Sequence, residues 1–269
     1  MSDRPVVIKI GGATLDERAS REAFARAIAQ LRERTPGGIV LIHGGGKAVD
    51  RHLDRLGFTT QRRDGIRITP SDQLDEIVGV LAGRVNKALV GALLACGVRA
   101  VGLCLGDAHD IPTRKATAFD FDPGRVGEVI SASPETPRAP LLRTLLGAGF
   151  TPVLSSIGID AAGEFLNINA DDAAAGVASL IHAAELVLMT DVPGVLDATR
   201  AVVPELTRTR IDAMIASGEI SGGMIPKVRA ALETARSLNA PVRIMPGNDQ
   251  AALTRWAHGQ SVGTRVLPG

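Results

Sequence analysis

Val6-Val7-Ile8-Lys9-Ile10-Gly11-Gly12 reads as a strand that is apolar on both faces and runs straight into two glycines. Ile39-Val40-Leu41-Ile42-His43-Gly44-Gly45-Gly46 repeats the pattern. Strands without polar alternation belong to parallel sheets covered by helices on both sides. Between the two lies Arg18–Arg34, where Phe24, Ile28 and Leu31 recur at helical spacing before Gly37-Gly38 ends the helix. Val98–Leu105, Thr151–Leu154, Leu186–Thr190 and Val242–Met245 extend the set of apolar strands. This order predicts an α/β protein: an open, mostly parallel central sheet sandwiched by helices, with its sites at the strands' C-terminal ends.

Further out, Thr69-Pro70-Ser71-Asp72 starts a long helix that runs to Cys96, with Thr69 as N-cap, Pro70 at the first position and Gly97 as the stop. Asp171–Ala184 and Pro226–Leu238 read as two more helices. The rhythm breaks over His109–Pro140, which holds Pro112, Pro123, Pro134, Pro137 and Pro140, with a hairpin-like piece at Arg125–Ile130. A second hairpin is predicted at Ile157–Ile168, turning at Ala161-Ala162-Gly163. Both are read as rim hairpins that form a substrate lid. A lobe boundary near Ala184 divides residues 1–183 from 184–269.

The 269 residues carry 30 Lys+Arg against 29 Asp+Glu, so no basic excess marks a nucleic-acid or membrane-surface binder. Aromatics are 3%, with no tyrosine, which removes base-stacking platforms as well. Cys96 and Cys104 sit in apolar stretches without CxxC or Cys/His spacing and read as reduced, buried thiols. Ala88–Leu105 is nearly uncharged, but Arg99 and three glycines make it a helix end followed by a strand rather than a membrane span. A polar start ahead of Val6 leaves no signal peptide, and a cytoplasmic protein is expected.

Glycines after a strand let backbone N–H groups approach an anion closely, and the following helix adds its positive end. One such cluster serves tight packing as often as ligand binding; two on neighbouring strands favour phosphate. Neither GxxxxGK[ST] nor GxGxxG is present, so a Walker loop and a dinucleotide fingerprint are both excluded. Lys9 interrupts an apolar strand, where a lysine needs a partner or a function. Lys227 opens a helix, the wrong end for a cation unless an anion comes there too. Arg67, between Ile66 and Ile68, is a candidate carboxylate clamp or, equally, an edge arginine facing water; Arg62 and Arg63 read as a solvated face. Asn167 and Asn169 share one face of the strand leading to Asp171-Asp172, either of which can cap the next helix.

Six ordered segments together carry a resemblance: Lys9-Ile10-Gly11-Gly12, His43-Gly44-Gly45-Gly46, Gly65-Ile66-Arg67-Ile68-Thr69, Asn167-Ile168-Asn169-Ala170-Asp171, Asp191-Val192-Pro193-Gly194-Val195-Leu196 and Gly222-Gly223-Met224-Ile225-Pro226-Lys227. The chain resembles the amino acid kinase family over its whole length, in particular members that phosphorylate the γ-carboxylate of N-acetyl-L-glutamate in arginine biosynthesis. The resemblance implies ATP as phosphoryl donor, with Mg²⁺ carried on the nucleotide. It implies Lys9 and Lys227 as stabilisers of the transferring group and Asp171 as the carboxylate that positions them. Gly12 and Gly45 would bind phosphoryl oxygens, and Gly44, Gly45, Arg67 and Asn167 the acceptor. Asp191, Val192, Pro193, Gly194, Val195 and Leu196, with Glu219, Ile220 and Ser221, would line the nucleotide. Residues 1–183 would then bind the acylamino acid and make a homodimer, and 184–269 would bind ATP.

Asp172 stands where relatives carry Gln or Glu, which leaves open which carboxylate acts. Lys47 and Ala48 replace a Pro and an acidic residue outside the chemistry. A kinase for N-acetyl-L-aminoadipate or another amino acid carboxylate is the nearest alternative; a non-catalytic nucleotide-binding regulator is a remote one, against which Lys9, Asp171 and Lys227 all stand. The first strand opens at about residue 5 with no helix ahead of it, which the resemblance links to an arginine-insensitive homodimer. Light scattering is expected to give twice the chain mass; a hexamer, or inhibition by millimolar arginine, contradicts that expectation.

Overall fold

The computed structural model describes residues 3–63, 65–130 and 139–269. Asp64 and residues 131–138, which include Pro134 and Pro137, lie outside them. The central sheet has eight strands, in the order Glu205–Leu206, Thr264–Val266, Val242–Pro246, Glu185–Thr190, Val6–Ile10, Ile39–His43, Thr151–Ser155, Ala100–Cys104. Val6–Ile10 pairs in parallel with Ile39–His43 on one side and Glu185–Thr190 on the other, so the sheet runs unbroken across residue 184. Only the Val242–Pro246/Thr264–Val266 pairing is antiparallel. Because every neighbour of Val6–Ile10 has helices above and below, Val7, Ile8 and Ile10 are fully buried, as are all five residues of Ile39–His43.

Two apolar layers flank the sheet. One holds Phe24, Ile28 and Leu31 of the helix Arg18–Glu33 with Leu81, Leu89 and Leu93 of the long helix; the other holds Ala174, Val177 and Ala178 with Val228, Ala231 and Ala235. The long helix spans Ser71–Ala95, and its middle, Gly79–Val85, is wound as a π-helix. By length and composition it is apolar enough to cross a membrane, but Leu74, Ile77, Leu81, Val85, Leu89 and Leu93 are spent on the core. Gly97, with φ of +76°, stops the helix as its sequence predicts.

The expected N-caps differ. Thr69 is fully buried and bridged to Gly124 instead, so the helix starts after Pro70 without a side-chain cap. The helix Ala170–Leu180 is capped by Asn169, whose Oδ1 accepts from Asp171 N at 2.8 Å and Asp172 N at 3.4 Å. That moves both aspartates into the first turn, where their charge meets the positive helix end.

The rim excursions form a four-stranded sheet, Thr113–Lys115, Val126–Val129, Phe165–Ile168, Ile157–Ile159, including the predicted hairpin at 157–168. Cys96 and Cys104 are free and half-buried. Burial and the hydrogen bond from Cys104 Sγ to Asp107 push that thiol up to about 12, so it is inert at neutral pH.

Asp110 caps a helix remote in sequence: its carboxylate oxygens accept from Leu141 N at 2.7 Å and Leu142 N at 3.0 Å, at the start of Pro140–Gly147. Since Asp110 is only 5% exposed, Asp110→Ala leaves two buried donors unpaired. The variant is expected to lose about 2 kcal/mol in urea unfolding; a midpoint equal to wild type contradicts this.

Candidate active site

One cleft opens where Val6–Ile10 and Ile39–His43 end, with a volume of ≈ 340 Å³. Lys9, Gly12, Gly44, Gly45, Arg67, Asn167 and Asp171 all line it. Lys9 stands one residue before the end of its strand with its side chain 14% exposed, and Nζ meets Asp171 Oδ1 at 2.9 Å. The partner demanded by a lysine in an apolar strand is therefore Asp171, delivered by the helix start that Asn169 caps. Asp172 faces the cleft beside it. Desolvation in the concave wall, with Asp171 and Glu128 close by, raises its carboxyl above the ordinary range. The ion pair with Lys9 thus falls to Asp171.

The glycine turn is shaped by what packs on it. A Cβ on Gly45 would stand 2.8 Å from Leu81 Cδ2, so the π-wound helix leaves room for backbone alone. A Cβ on Gly44 would crowd Ala170 at 3.3 Å. Below the turn, His43 is fully buried and its Nδ1 bonds Gly44 O at 2.9 Å, while Asn86 Nδ2 bonds its Nε2 at 3.0 Å. Asn86 also donates to Val153 O at 2.9 Å. Burial lowers the imidazole to about 4, against the Gly44 carbonyl that favours charge, so the ring is neutral.

Arg67 does not face water. It is 9% exposed, pairs with Asp50 through Nη1 at 2.8 Å and donates from Nη2 to Gly46 O at 3.1 Å. Its neighbours Arg62 and Arg63 are exposed, as expected, but not without partners: Arg62 also pairs with Asp50 and lines the cleft, and Arg63 pairs with Asp120 at 2.9 Å and lies 4.6 Å over the Phe121 ring. Burial pushes the Asp50 carboxyl up, but Arg62 and Arg67 outweigh it and hold it below the usual carboxylate range. Asn167 Nδ2 donates to Thr69 Oγ1 at 3.0 Å, and Thr69 Oγ1 donates to Arg67 O at 3.1 Å. Thr69 therefore joins the two acceptor-side candidates; its place in a Gly-Ile-Arg-Ile-Thr run gave no sign of this beyond its being polar.

The remaining candidates stand outside the cleft lining. Asp191, Val192, Pro193, Gly194, Val195 and Leu196 leave the C-terminal end of Glu185–Thr190, anchored by Val195 N on Thr264 Oγ1 at 2.8 Å. Glu219, Ile220 and Ser221 form the turn before the helix Met224–Leu238, and Lys227 is exposed in that helix's first turn. Both 170–180 and 224–238 precede parallel strands, so their N-terminal ends, and with them Asp171 and Lys227, lie on the same edge of the sheet as the glycine turns. Thr14 Oγ1 donates to Gly247 O at 2.8 Å, which ties the segment after the first strand to the one after Val242–Pro246.

A cleft floored by glycine-turn amides and holding a lysine and two arginines, on the C-terminal edge of a parallel sheet, is the build of an α/β enzyme for small anions. The chain belongs to the amino acid kinase family, whose profile matches residues 4–246. It is 42% identical over 265 residues to the acetylglutamate kinase of Actinobacillus succinogenes, covering 98% of this chain and 100% of that one. To the acetylglutamate kinase of Proteus mirabilis it is 40% identical over 263 residues, covering 98% and 99%. Among solved structures, N-acetylglutamate synthase from Neisseria gonorrhoeae, complexed with coenzyme A and N-acetyl-glutamate, shares the fold. Its TM-score is 0.81 at 22% identity, covering 99% of this chain and 60% of that one.

His43 makes stability depend on pH. The imidazole titrates near 6.5 when free and near 4 in the fold, so between those values the unfolded chain binds more protons. Stability must fall as pH drops through 6.5 toward 4 and level off below, by on the order of 3 kcal/mol in full. Urea midpoints measured against pH are expected to slope less in His43→Gln than in wild type within that window; equal slopes contradict the neutral-imidazole assignment.

Proposed function

We infer that this chain is an acetylglutamate-phosphorylating kinase: it transfers the γ-phosphoryl group of ATP to the γ-carboxylate of N-acetyl-L-glutamate, in arginine biosynthesis. The observation that carries this reading is the convergence of Lys9, Gly12, Gly44, Gly45, Arg67, Asn167 and Asp171 on one cleft in a chain of this family.

The acceptor is a carboxylate, ionised at neutral pH, so no general base is required. The reaction calls for alignment of two anions and for donors at the phosphoryl oxygens. Lys9 Nζ, held by Asp171, supplies a charge fixed in advance; the N–H groups of Gly12 and Gly45 supply donors that need no reorganisation. Arg67 and Asn167 hold the acceptor's α-carboxylate and acetamido group. Lys227 meets the phosphates from the second lobe, where 191–196 and 219–221 hold the nucleotide. Residues 1–183 are accordingly the acceptor lobe and 184–269 the ATP lobe.

Among the described residues, no group of three or more His, Cys, Asp or Glu side chains is arranged to hold a metal. Mg²⁺ would be carried on the ATP phosphates, its usual mode in kinases, and would supply charge neutralisation there. We place the protein in the cytoplasm, as a homodimer.

With Mg-ATP, N-acetylglutamate is expected to give a higher kcat/KM than N-acetylaminoadipate, glutamate or aspartate; a preference for N-acetylaminoadipate replaces the acceptor assignment by its longer homologue. Lys227→Ala is expected to lower kcat about 100-fold or more while the acceptor KM stays within about threefold. A raised KM with kcat intact removes Lys227 from the transition state.

A further inference from the structure

Two arginines of the cleft share one carboxylate. Asp50, in the helix Gly46–Arg55, receives Arg67 Nη1 on Oδ1 at 2.8 Å. It receives Arg62 Nη2 on Oδ1 at 3.1 Å and on Oδ2 at 2.8 Å. Arg62 and Arg67 are register partners in the short antiparallel pair Arg62–Arg63/Ile66–Arg67. The carboxylate therefore fastens this hairpin to the helix that follows the triple-glycine turn.

The remaining donors matter. Arg67 spends N–H groups on Asp50, on Thr60 Oγ1 at 3.3 Å and on Gly46 O at 3.1 Å. A guanidinium has about five such donors, so it keeps donors for a ligand. Arg62, with its side chain 44% exposed, lines the cleft and bonds Asp50 through Nη2 alone among the described residues. Two guanidiniums against one carboxylate leave a net positive charge on this wall, and the free N–H groups match the two oxygens of a second carboxylate.

We propose that Asp50 is a positioning residue for acceptor recognition: it couples Arg62 to Arg67 so that both guanidiniums face the acceptor's α-carboxylate, with Arg62 as the second cation of the clamp. This rests on the acceptor assigned under Proposed function. Without Asp50 the hairpin loses its tie to the glycine-turn helix, and two adjacent guanidiniums repel.

The test compares N-acetylglutamate with its α-carboxamide, which keeps the side-chain carboxylate, on wild type, Asp50→Asn and Arg62→Gln. Each variant is expected to raise the KM of the acid about tenfold or more. Each leaves kcat and the ATP KM within about threefold and the KM of the α-carboxamide within about twofold. An unmoved KM for the acid, or equal rises for acid and amide as from a purely structural pin, overturns the clamp. Should Asp50→Asn fail to fold, Arg62→Gln and Arg62→Lys, on a half-exposed side chain, carry the same comparison. A wild type inert toward the acid overturns the acceptor assignment and the clamp with it; an active wild type with unmoved variants overturns the clamp alone.

Discussion

The ion pair of Lys9 with Asp171 joins the end of a strand buried on both faces to the start of a helix that lies more than half the chain further on. An ammonium at that depth is tolerable only with a partner in reach. Its partner can arrive only if the rim hairpin at 157–168 turns back over the sheet and Asn169 caps the helix at the right residue. The glycine turns and the π-wound helix pack around the space this pair faces, with the neutral His43 buried beneath the turn. A lysine that would burden a plain core strand becomes, in this setting, a charge preorganised for an anion.

Charge in this protein is arranged locally. With 30 basic and 29 acidic residues the chain has almost no net field, yet its cleft gathers Lys9, Arg62 and Arg67. Lys9 is paired one to one with Asp171, while the two arginines together share the single carboxylate of Asp50. This pairing limits repulsion among the cations while leaving guanidinium donors unspent. The start of the helix Met224–Leu238, with Lys227, lies on the same sheet edge by topology rather than in the wall of this cleft.

The central strands were legible because parallel strands covered on both faces are uniformly apolar, and their bounds match to within a residue or two, whereas the helix expected over Asp171–Ala184 ends at Leu180. That Lys9 and the glycine turns meet at one cleft was legible because glycines after strands and a lysine within one are costly anywhere else, whereas Arg67 read equally well as an edge arginine. What stayed hidden depends on contacts between distant segments. Nothing in Thr-Pro-Ser-Asp announces that Thr69 bridges Gly124 rather than capping a helix, and nothing local ties Asp50 to Arg62 and Arg67. Arg62 and Arg63 are exposed as read, but their pairing with Asp50 and Asp120 depends on how the hairpin folds back and left no local signal. Asn169 displaced the aspartates as cap by a shift of one or two residues, within the usual uncertainty of helix starts.

If the Lys9–Asp171 pair faces a carboxylate that accepts a phosphoryl group, the product is an acyl phosphate, which hydroxylamine converts to a hydroxamate. The decisive measurement is hydroxamate formed per ADP released with N-acetylglutamate and Mg-ATP. The account predicts a ratio near one, abolished in Lys9→Met while calorimetry still detects acceptor binding. ADP release without hydroxamate, or an undiminished ratio and rate in Lys9→Met, would contradict it.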